Sequence, residues 1–471
     1  MHLAHVRRST VHAAAVVALV AVGACARGGD KAAPPGSRAP FLLMAVDGLE
    51  WSVVTPLLER GRLPNLAAVM ARGTYGRLAS MDPTYSPVVW TTIATGKSPD
   101  EHGIKHFVYD EGGGPRYYTS GHRATKAFWN IYSDYGLTVD VLGWWMTFPA
   151  EAVQGVMVAQ TNTTGVLEDP RKALWKGSLL RGVDGQVFPP ERQAEVMDIL
   201  EETEASFDSL AREIFGATAD APRSDFTALM WNQSRWAFRA DAVYAGVARR
   251  LLEEQQPFDL LAVYIGGTDV ASHRFWRYAH PEDFFDPPSP EEVATYGRVI
   301  DDYYVHVDRL LGEFLARAPR NMGVIIISDH GFHTVNPRGD FQTADEPEEW
   351  NSGNHLDAPA GVFIAAGPGI IDATPGDSLP LSLAPESLPE LGGVYDVLPT
   401  LLALKGLPVG KDMRGEVLAG VIEPAWLERF PVKFVATHDD GAFQESRRER
   451  MHAAADQSER LEQLKSLGYI Q

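Results

Sequence analysis

The sequence predicts an α/β fold built on a mostly parallel central sheet, and three observations predict it. Four apolar runs, Phe41 to Val46, Phe258 to Ile265, Gly323 to Ile327 and Gly361 to Ala366, read as strands buried on both faces. Between them lie segments with helical spacing, such as Trp236 to Glu254, where Ala237, Ala240, Val243, Val247 and Leu251 recur on one face. The runs also meet polar chemistry at their ends. The first delivers Asp47-Gly48, the second Gly266-Gly267-Thr268-Asp269 with His273 four residues on, and the third Ser328-Asp329-His330-Gly331, while His355 stands just ahead of the fourth. Ligands of parallel sheets bind beyond the carboxyl ends of the strands, so one sheet edge can gather all six side chains. Three carboxylates and three imidazoles with no lysine or arginine among them make a poor salt-bridge network. They make a good cage for divalent cations.

Composition is that of a globular chain with ample core: 471 residues, 45% hydrophobic and 22% charged. After the ends are trimmed, one α/β domain over residues 41–430 is more economical than several. Sixty-two acidic against 42 basic residues give a formal charge of −20, and no Lys/Arg-rich run stands out. Duplex nucleic acid is therefore not an expected partner. An acidic enzyme acting on an anion needs local positive charge, which bound metal can supply.

Residues 1–25 read as a targeting segment: a weakly basic head to Arg8, an apolar run Val11 to Val22, and the small-residue stretch Val22-Gly23-Ala24-Cys25. Cys25 is the only cysteine, so no disulfide can form within the chain. The four residues resemble a bacterial lipobox. That resemblance implies lipidation of Cys25 and an exported protein tethered to a membrane, in the periplasm or at the cell surface; an ordinary cleaved signal peptide is the alternative. Residues 26–40, rich in Gly, Ala, Lys and Pro, read as a flexible linker.

In chain order, Val53 to Gly73 reads as helical with a break at Pro64. Asp82 to Gly96 carries a serine, a proline, and a glycine about three turns later, the signature of an N-cap, a first-turn proline and a C-terminal stop. Ser86 there either caps its helix or, at the positive end of the helix dipole and beside bound cations, serves as a nucleophile toward an anion. Phe128 to Tyr135 reads as a helix and Thr138 to Gly143 as a strand leading into Trp144-Trp145, which line the same mouth or pack in the core. Residues 164–234 break the strand rhythm and read as a cap-like insertion. Pro290 to Ala318 is the helix ahead of the Asp329 strand, and Thr334 to Asn354 a polar loop that carries Asp345, Glu346, Glu348 and Glu349. Val394 to Leu402 is a helix packed on the sheet, and residues 431–471 form a charged helical tail.

Asp47-Gly48, the Ser86-Pro87 helix ending in Thr95-Gly96, Pro99-Asp100-Glu101-His102-Gly103-Ile104, Asp269 with His273, Ser328-Asp329-His330-Gly331, and His355 ahead of the fourth strand together resemble the alkaline phosphatase superfamily. Within it the likeness is to the type I phosphodiesterase/nucleotide pyrophosphatase branch and its bacterial phosphohydrolase relatives. The resemblance implies an alkaline-phosphatase-like αβα sandwich and two divalent metal ions, Zn2+ by analogy. Asp269, His273 and His355 would hold one ion and Asp47, Asp329 and His330 the other. Ser86 falls at the nucleophile position, where many relatives have threonine and where the nucleophile also contacts metal. The implied course is a phosphoryl-serine intermediate, with a small-molecule phosphate ester as substrate.

The chain departs from that pattern at two points. No asparagine follows the nucleophile in Val88-Val89-Trp90, and Lys105-His106-Phe107 replaces an asparagine common in phosphate-hydrolysing relatives after His102-Gly103-Ile104. Lys97, Lys105 and His106 are the nearby groups able to contact phosphate. Diester or nucleotide pyrophosphate cleavage is the expected activity, with monoester hydrolysis or a non-catalytic surface lipoprotein as alternatives. A sulfatase needs an arginine after the proline of its Cys/Ser-Pro motif, which Ser86-Pro87-Val88-Val89-Trp90 lacks. A dinucleotide-dependent oxidoreductase would want GxGxxG after the first strand, and Asp47-Gly48-Leu49-Glu50-Trp51 is not one.

Overall fold

The computed structural model describes residues 39–110, 115–160, 179–181, 183–339, 351–373 and 384–452. Cys25, residues 26–38 of the linker, the start of the 164–234 region, the acidic residues of the 334–354 loop and the end of the tail fall outside these ranges. A nine-stranded sheet forms the centre, from strands β1 (Phe41–Val46), β2 (Gly73–Ala79), β3 (Val139–Leu142), β4 (Met157–Val158), β5 (Val187–Phe188), β6 (Leu260–Ile265), β7 (Gly323–Ile327), β8 (Gly361–Ala366) and β9 (Glu390–Gly393). Their order across the sheet is β9-β2-β8-β7-β1-β6-β3-β4-β5. Neighbours pair in parallel except at the two flanks of β8 and between β4 and β5.

Alternation along the strands divides the core into two layers, as a period of two requires. Leu42, Met44, Val46, Val263, Ile265, Val324 and Ile326 face one layer, which holds helices α1 (Trp51–Glu59), α3 (Gln193–Phe215), α4 (Asp225–Glu253), α5 (Gly267–Ala279) and α6 (Val299–Arg317). Leu43, Ala45, Leu260, Ala262, Ile325 and Ile327 face the other, which holds α2 (Ser86–Thr95) and α7 (Val397–Leu404). This is the helix-sheet-helix sandwich that the sequence predicts. Helix α3, within the stretch read as an insertion, buries Val196, Ile199, Leu200, Phe207 and Phe215 in the first layer.

Register sets the site. Ala45 lies opposite Ile327 and Val46 opposite Ile265, so Asp47, Ser328-Asp329 and Gly266 leave the sheet at one height. Strand β8 runs the other way, pairing Phe363 with Ile327. A residue upstream of an antiparallel strand reaches the edge that residues downstream of parallel strands reach, so His355 joins the same edge.

Three local readings shift. Strand β2, Gly-Thr-Tyr-Gly-Arg-Leu-Ala, begins at Gly73, the last residue of the stretch read as helical. Its glycines fit tight packing: a Cβ on Gly73 would lie 2.0 Å from the Ala365 carbonyl oxygen and one on Gly76 2.4 Å from that of Pro389. Helix α4 starts at Asp225, capped by Ser224, eleven residues before the predicted start. The predicted 290–318 helix is two, Pro290–Tyr296 and α6.

Candidate active site

The site is assembled from turns that leave the sheet. After β1 the chain turns at Gly48, whose φ is +65°; a Cβ there would meet the Phe332 ring at 2.4 Å and the Asp269 backbone at 3.2 Å. Only glycine fits that turn. Asp47 is fully buried. Its Oδ2 accepts hydrogen bonds from the Trp90 indole at 3.0 Å and from the Tyr264 hydroxyl, which leaves Oδ1 without a partner. Asp329 Oδ1 accepts from the Gly48 amide at 3.2 Å, and its Oδ2 likewise has none. Asp269 stands in the first turn of α5 with an unpartnered Oδ1.

The three histidines complement these oxygens. His273 Nδ1 lies 2.8 Å from the Gly353 carbonyl and His330 Nδ1 3.2 Å from that of Gly331. Carbonyls only accept, so each Nδ1 carries the proton. The Thr84 hydroxyl donates to the His355 carbonyl at 2.8 Å and therefore accepts from His355 Nδ1 at 3.1 Å. All three rings then turn an Nε2 lone pair toward the carboxylates. His330 Nε2 is 3.4 Å from Asp47 Oδ1 and 3.2 Å from Asp329 Oδ2; His273 and His355 Nε2 are 3.4 and 3.9 Å from Asp269 Oδ1. Lone pairs facing lone pairs repel unless a cation lies between them.

Among the described residues, two groups have donor atoms mutually within 4.8 Å: Asp47, Asp329 and His330, and Asp269, His330 and His355. The first is the triad that the sequence resemblance implies. In the second, His330 stands where that resemblance has His273, which reaches Asp269 from one helical turn on without meeting the full set.

Electrostatics follow from burial. Asp47 is pushed up to about 7, first by desolvation and then by the charge of Asp269. Desolvation, with Asp47 and Asp269 nearby, raises Asp329 well above the carboxylate range. Burial lowers His330 to about 4, which favours its neutral form. Desolvation also opposes the charged form of Asp269, but the charge that His273, His355 and His330 carry when doubly protonated outweighs it and holds that carboxyl below its usual range.

Ser86 is the first residue of α2, and the N-cap is Tyr85, one residue earlier than predicted. Its side chain thus lies in the first turn, where free amides and the dipole favour anions. Ser86 lines a cleft of about 510 Å³ together with Asp269, His273 and His355. The cations proposed for phosphate contact are engaged elsewhere. Lys97 is buried against Asp412, and Lys105 pairs with Asp100 at 2.7 Å. His106 packs edge-on against Tyr85, and none of the three lines the cleft. The tryptophans divide: Trp144 is a core residue bonded to the Trp90 carbonyl, whereas Trp145 lines the cleft and donates to the Tyr264 hydroxyl at 2.9 Å.

Supporting residues escaped the sequence reading. Glu50 accepts from the Ser52 and Phe332 amides, both at 2.9 Å, tying the Asp47 turn to the loop after His330. Asp241 accepts from the Gly266 and Gly267 amides at 2.9 and 2.7 Å and from the Tyr303 hydroxyl at 2.6 Å, fixing the start of the Asp269 helix. A carboxylate in an apolar helical run was the available signal for Asp241. Nothing distinguished Tyr264 or Trp90 from core aromatics.

The model of the type I phosphodiesterase / nucleotide pyrophosphatase family matches residues 41–375. The chain belongs to that family, within the alkaline phosphatase superfamily, and is a phosphoric ester hydrolase. Among solved structures it is similar to murine ectonucleotide pyrophosphatase / phosphodiesterase 5, at 12% identity and a TM-score of 0.43, covering 78% of this chain and 95% of that one. It is also similar to phosphonoacetate hydrolase from Sinorhizobium meliloti, at 15% identity and a TM-score of 0.36, covering 64% and 58%. A search of curated proteins matched none.

Proposed function

We propose that the protein cleaves a phosphodiester through a phosphoryl-serine intermediate on Ser86, with two divalent cations, zinc by ligand type, held by Asp47, Asp329 and His330 and by Asp269, His355 and the adjoining His273. One observation carries the reading: Asp47 Oδ1, Asp269 Oδ1, Asp329 Oδ2 and His330 Nε2 are buried, converge, and have no hydrogen-bond partner. Orphaned buried acceptors are costly, at about 1–3 kcal/mol each. Cations would satisfy all of them at once, and the donor set of carboxylates and imidazoles suits zinc.

Bound there, the metals would supply charge for the phosphate oxygens and lower the pKa of the serine hydroxyl. The chain's own residues do the rest. The first turn of α2 presents Ser86 and its amides to the phosphoryl group. Trp90 and Tyr264 hold Asp47 Oδ2 so that Oδ1 faces the centre, and Gly353, Gly331 and Thr84 fix the three imidazole tautomers. The alternative monoesterase reading lacks support in the cleft, where no lysine or arginine side chain is available for a dianionic phosphate among the described residues.

The test is hydrolysis of bis-p-nitrophenyl phosphate and p-nitrophenyl phosphate by the metal-loaded full chain. Faster cleavage of the diester supports the proposal, and a faster monoester overturns the diester assignment. Export and tethering through Cys25 are proposed from the targeting segment alone; among the described residues no helix is long and apolar enough to cross a membrane. Cys25→Ser is expected to release the protein from membranes, and retention would overturn the tether.

A further inference from the structure

The helix that presents Ser86 is held differently along its length. All ten residues of α2 are buried. Its carboxyl end is anchored by bonds to two other parts of the chain. The Arg414 amide donates to the Gly96 carbonyl at 2.8 Å. The His102 ring accepts from the Ile104 amide through Nδ1 at 3.1 Å, so its Nε2 carries the proton and donates to the Thr92 hydroxyl at 3.1 Å. The body of the helix has no room to slide, and what remains to be set is its first turn, where Ser86 lies.

Two side chains set that turn, and each leads to a different group of metal-ligating residues. Thr84, 6% exposed, stands two residues before Ser86. Its hydroxyl bonds His355 twice, donating to the main-chain carbonyl at 2.8 Å and accepting from ring Nδ1 at 3.1 Å. Ring and backbone of His355 are therefore fixed to the segment that enters α2. Trp90 stands four residues after Ser86, on the same face of the helix, and its indole donates to Asp47 Oδ2 at 3.0 Å. His355 belongs with Asp269, and Asp47 with Asp329. Ser86 is bracketed by one tie to each group.

We propose that Thr84 and Trp90 are positioning residues that register Ser86 against the two metal ions, one tie per ion, so that filling each site and placing the nucleophile are coupled events. Coupling of this kind is reciprocal: an ion that immobilises His355 or Asp47 also immobilises the turn, and a well-placed turn strengthens the hold on the ion. The inference rests on the proposed two-metal diesterase reading. It goes beyond the orientation of single ligands, since a residue that only orients a ligand has no further effect once the ion is bound.

Calorimetric zinc titration of the full chain, with hydrolysis of bis-p-nitrophenyl phosphate at saturating zinc, tests it. Thr84→Val, which keeps the shape and removes the hydroxyl, is expected to weaken one of the two zinc ions by about 10–100-fold. Trp90→Phe, which removes the N–H, is expected to weaken the other ion by a similar factor, and the double variant to weaken both. At saturating zinc each single variant should still show a kcat at least about tenfold below the parent with a KM within about twofold, because the nucleophile is displaced and substrate binding is not. Thr84→Ser, which keeps the hydroxyl, should restore both zinc affinity and kcat. Full recovery of kcat at saturating zinc, weakening of the same ion by both variants, or failure of Thr84→Ser to rescue overturns the inference and leaves the diesterase reading standing. Should Trp90→Phe not fold, the Thr84→Val and Thr84→Ser pair decides alone. A parent chain that takes up no zinc or leaves the diester uncleaved fails the diesterase reading itself.

Discussion

Two of the buried ionic clusters among the described residues are satisfied in opposite ways. At the first, Arg123 and Glu151 are fully buried as an ion pair, and both oxygens of Glu151 are covered: Oε1 by Arg123 and by the Trp129 indole at 2.9 Å, Oε2 by Asn130 at 3.0 Å and Arg450 at 3.4 Å. The guanidinium also lies 4.9 Å from the Trp129 ring centroid. At the second, three carboxylates and three imidazole nitrogens face one another with no cationic side chain between them. Burial alone would push every one of these carboxyls up. Glu151 instead falls to about 2, since Arg123 and Arg450 outweigh its desolvation, while Asp47 rises to about 7. The difference teaches that a buried acidic site whose counter-charge is missing from the chain is built for a counter-charge from outside.

The largest expected effect lies at the open cluster. Ser86→Ala is expected to lower turnover of bis-p-nitrophenyl phosphate by about 10⁴-fold or more while metal content stays near that of the parent, since only the nucleophile is removed. Loss of metal together with fold would mean that Ser86 is structural.

Neutralising one carboxylate in each cluster sharpens the contrast. Glu151→Gln leaves a guanidinium buried without its charge partner and is expected to cost about 3–5 kcal/mol in urea unfolding. Asp329→Asn removes repulsion and is expected to leave the stability of the chelated protein unchanged or raised while abolishing metal binding. Equal destabilisation by both would break the comparison.

The pH dependence of stability separates the clusters next. The folded pKa of Glu151 is depressed from 4.5 to about 2, so its contribution is present above pH 4.5 and is lost as pH falls toward 2. For so buried a group this is on the order of 3 kcal/mol. Acid titration of the unfolding free energy should show that loss in the parent, and Glu151→Gln should not.

The smallest effect concerns the shell around the metals. Tyr264→Phe removes one of the two donors on Asp47 Oδ2 and is expected to weaken metal binding by about 10–100-fold with little change in melting temperature. Unchanged affinity would make Tyr264 a packing residue only.

Much of this was legible in the sequence, for physical reasons that also mark the limits. The β-branched run Val324 to Ile327 admits almost no reading but a buried strand, and its register with β1 follows from shared length and shared polar ends. The six cluster residues stood out because Asp and His are rare at the ends of such runs. Strand β2 did not stand out, because its side chains contribute little and its pairing with β8 and β9 is made by backbone. The start of α4 was hidden because Asp225 to Arg235 mixes polar and apolar residues without a clear face. Asp241, Glu50 and Tyr264 act through residues far away in sequence, as when Glu50 binds the amide of Phe332, and no local pattern records such partners.

The most direct measurement is metal content per chain by mass spectrometry, paired with the melting temperature of the full chain before and after chelation. The account predicts two divalent ions per chain and a melting temperature that falls on chelation and returns on adding zinc. A folded, stable protein that takes up no metal under saturating zinc would contradict it, since the orphaned oxygens of Asp47, Asp269 and Asp329 would then have to be accommodated by the chain alone.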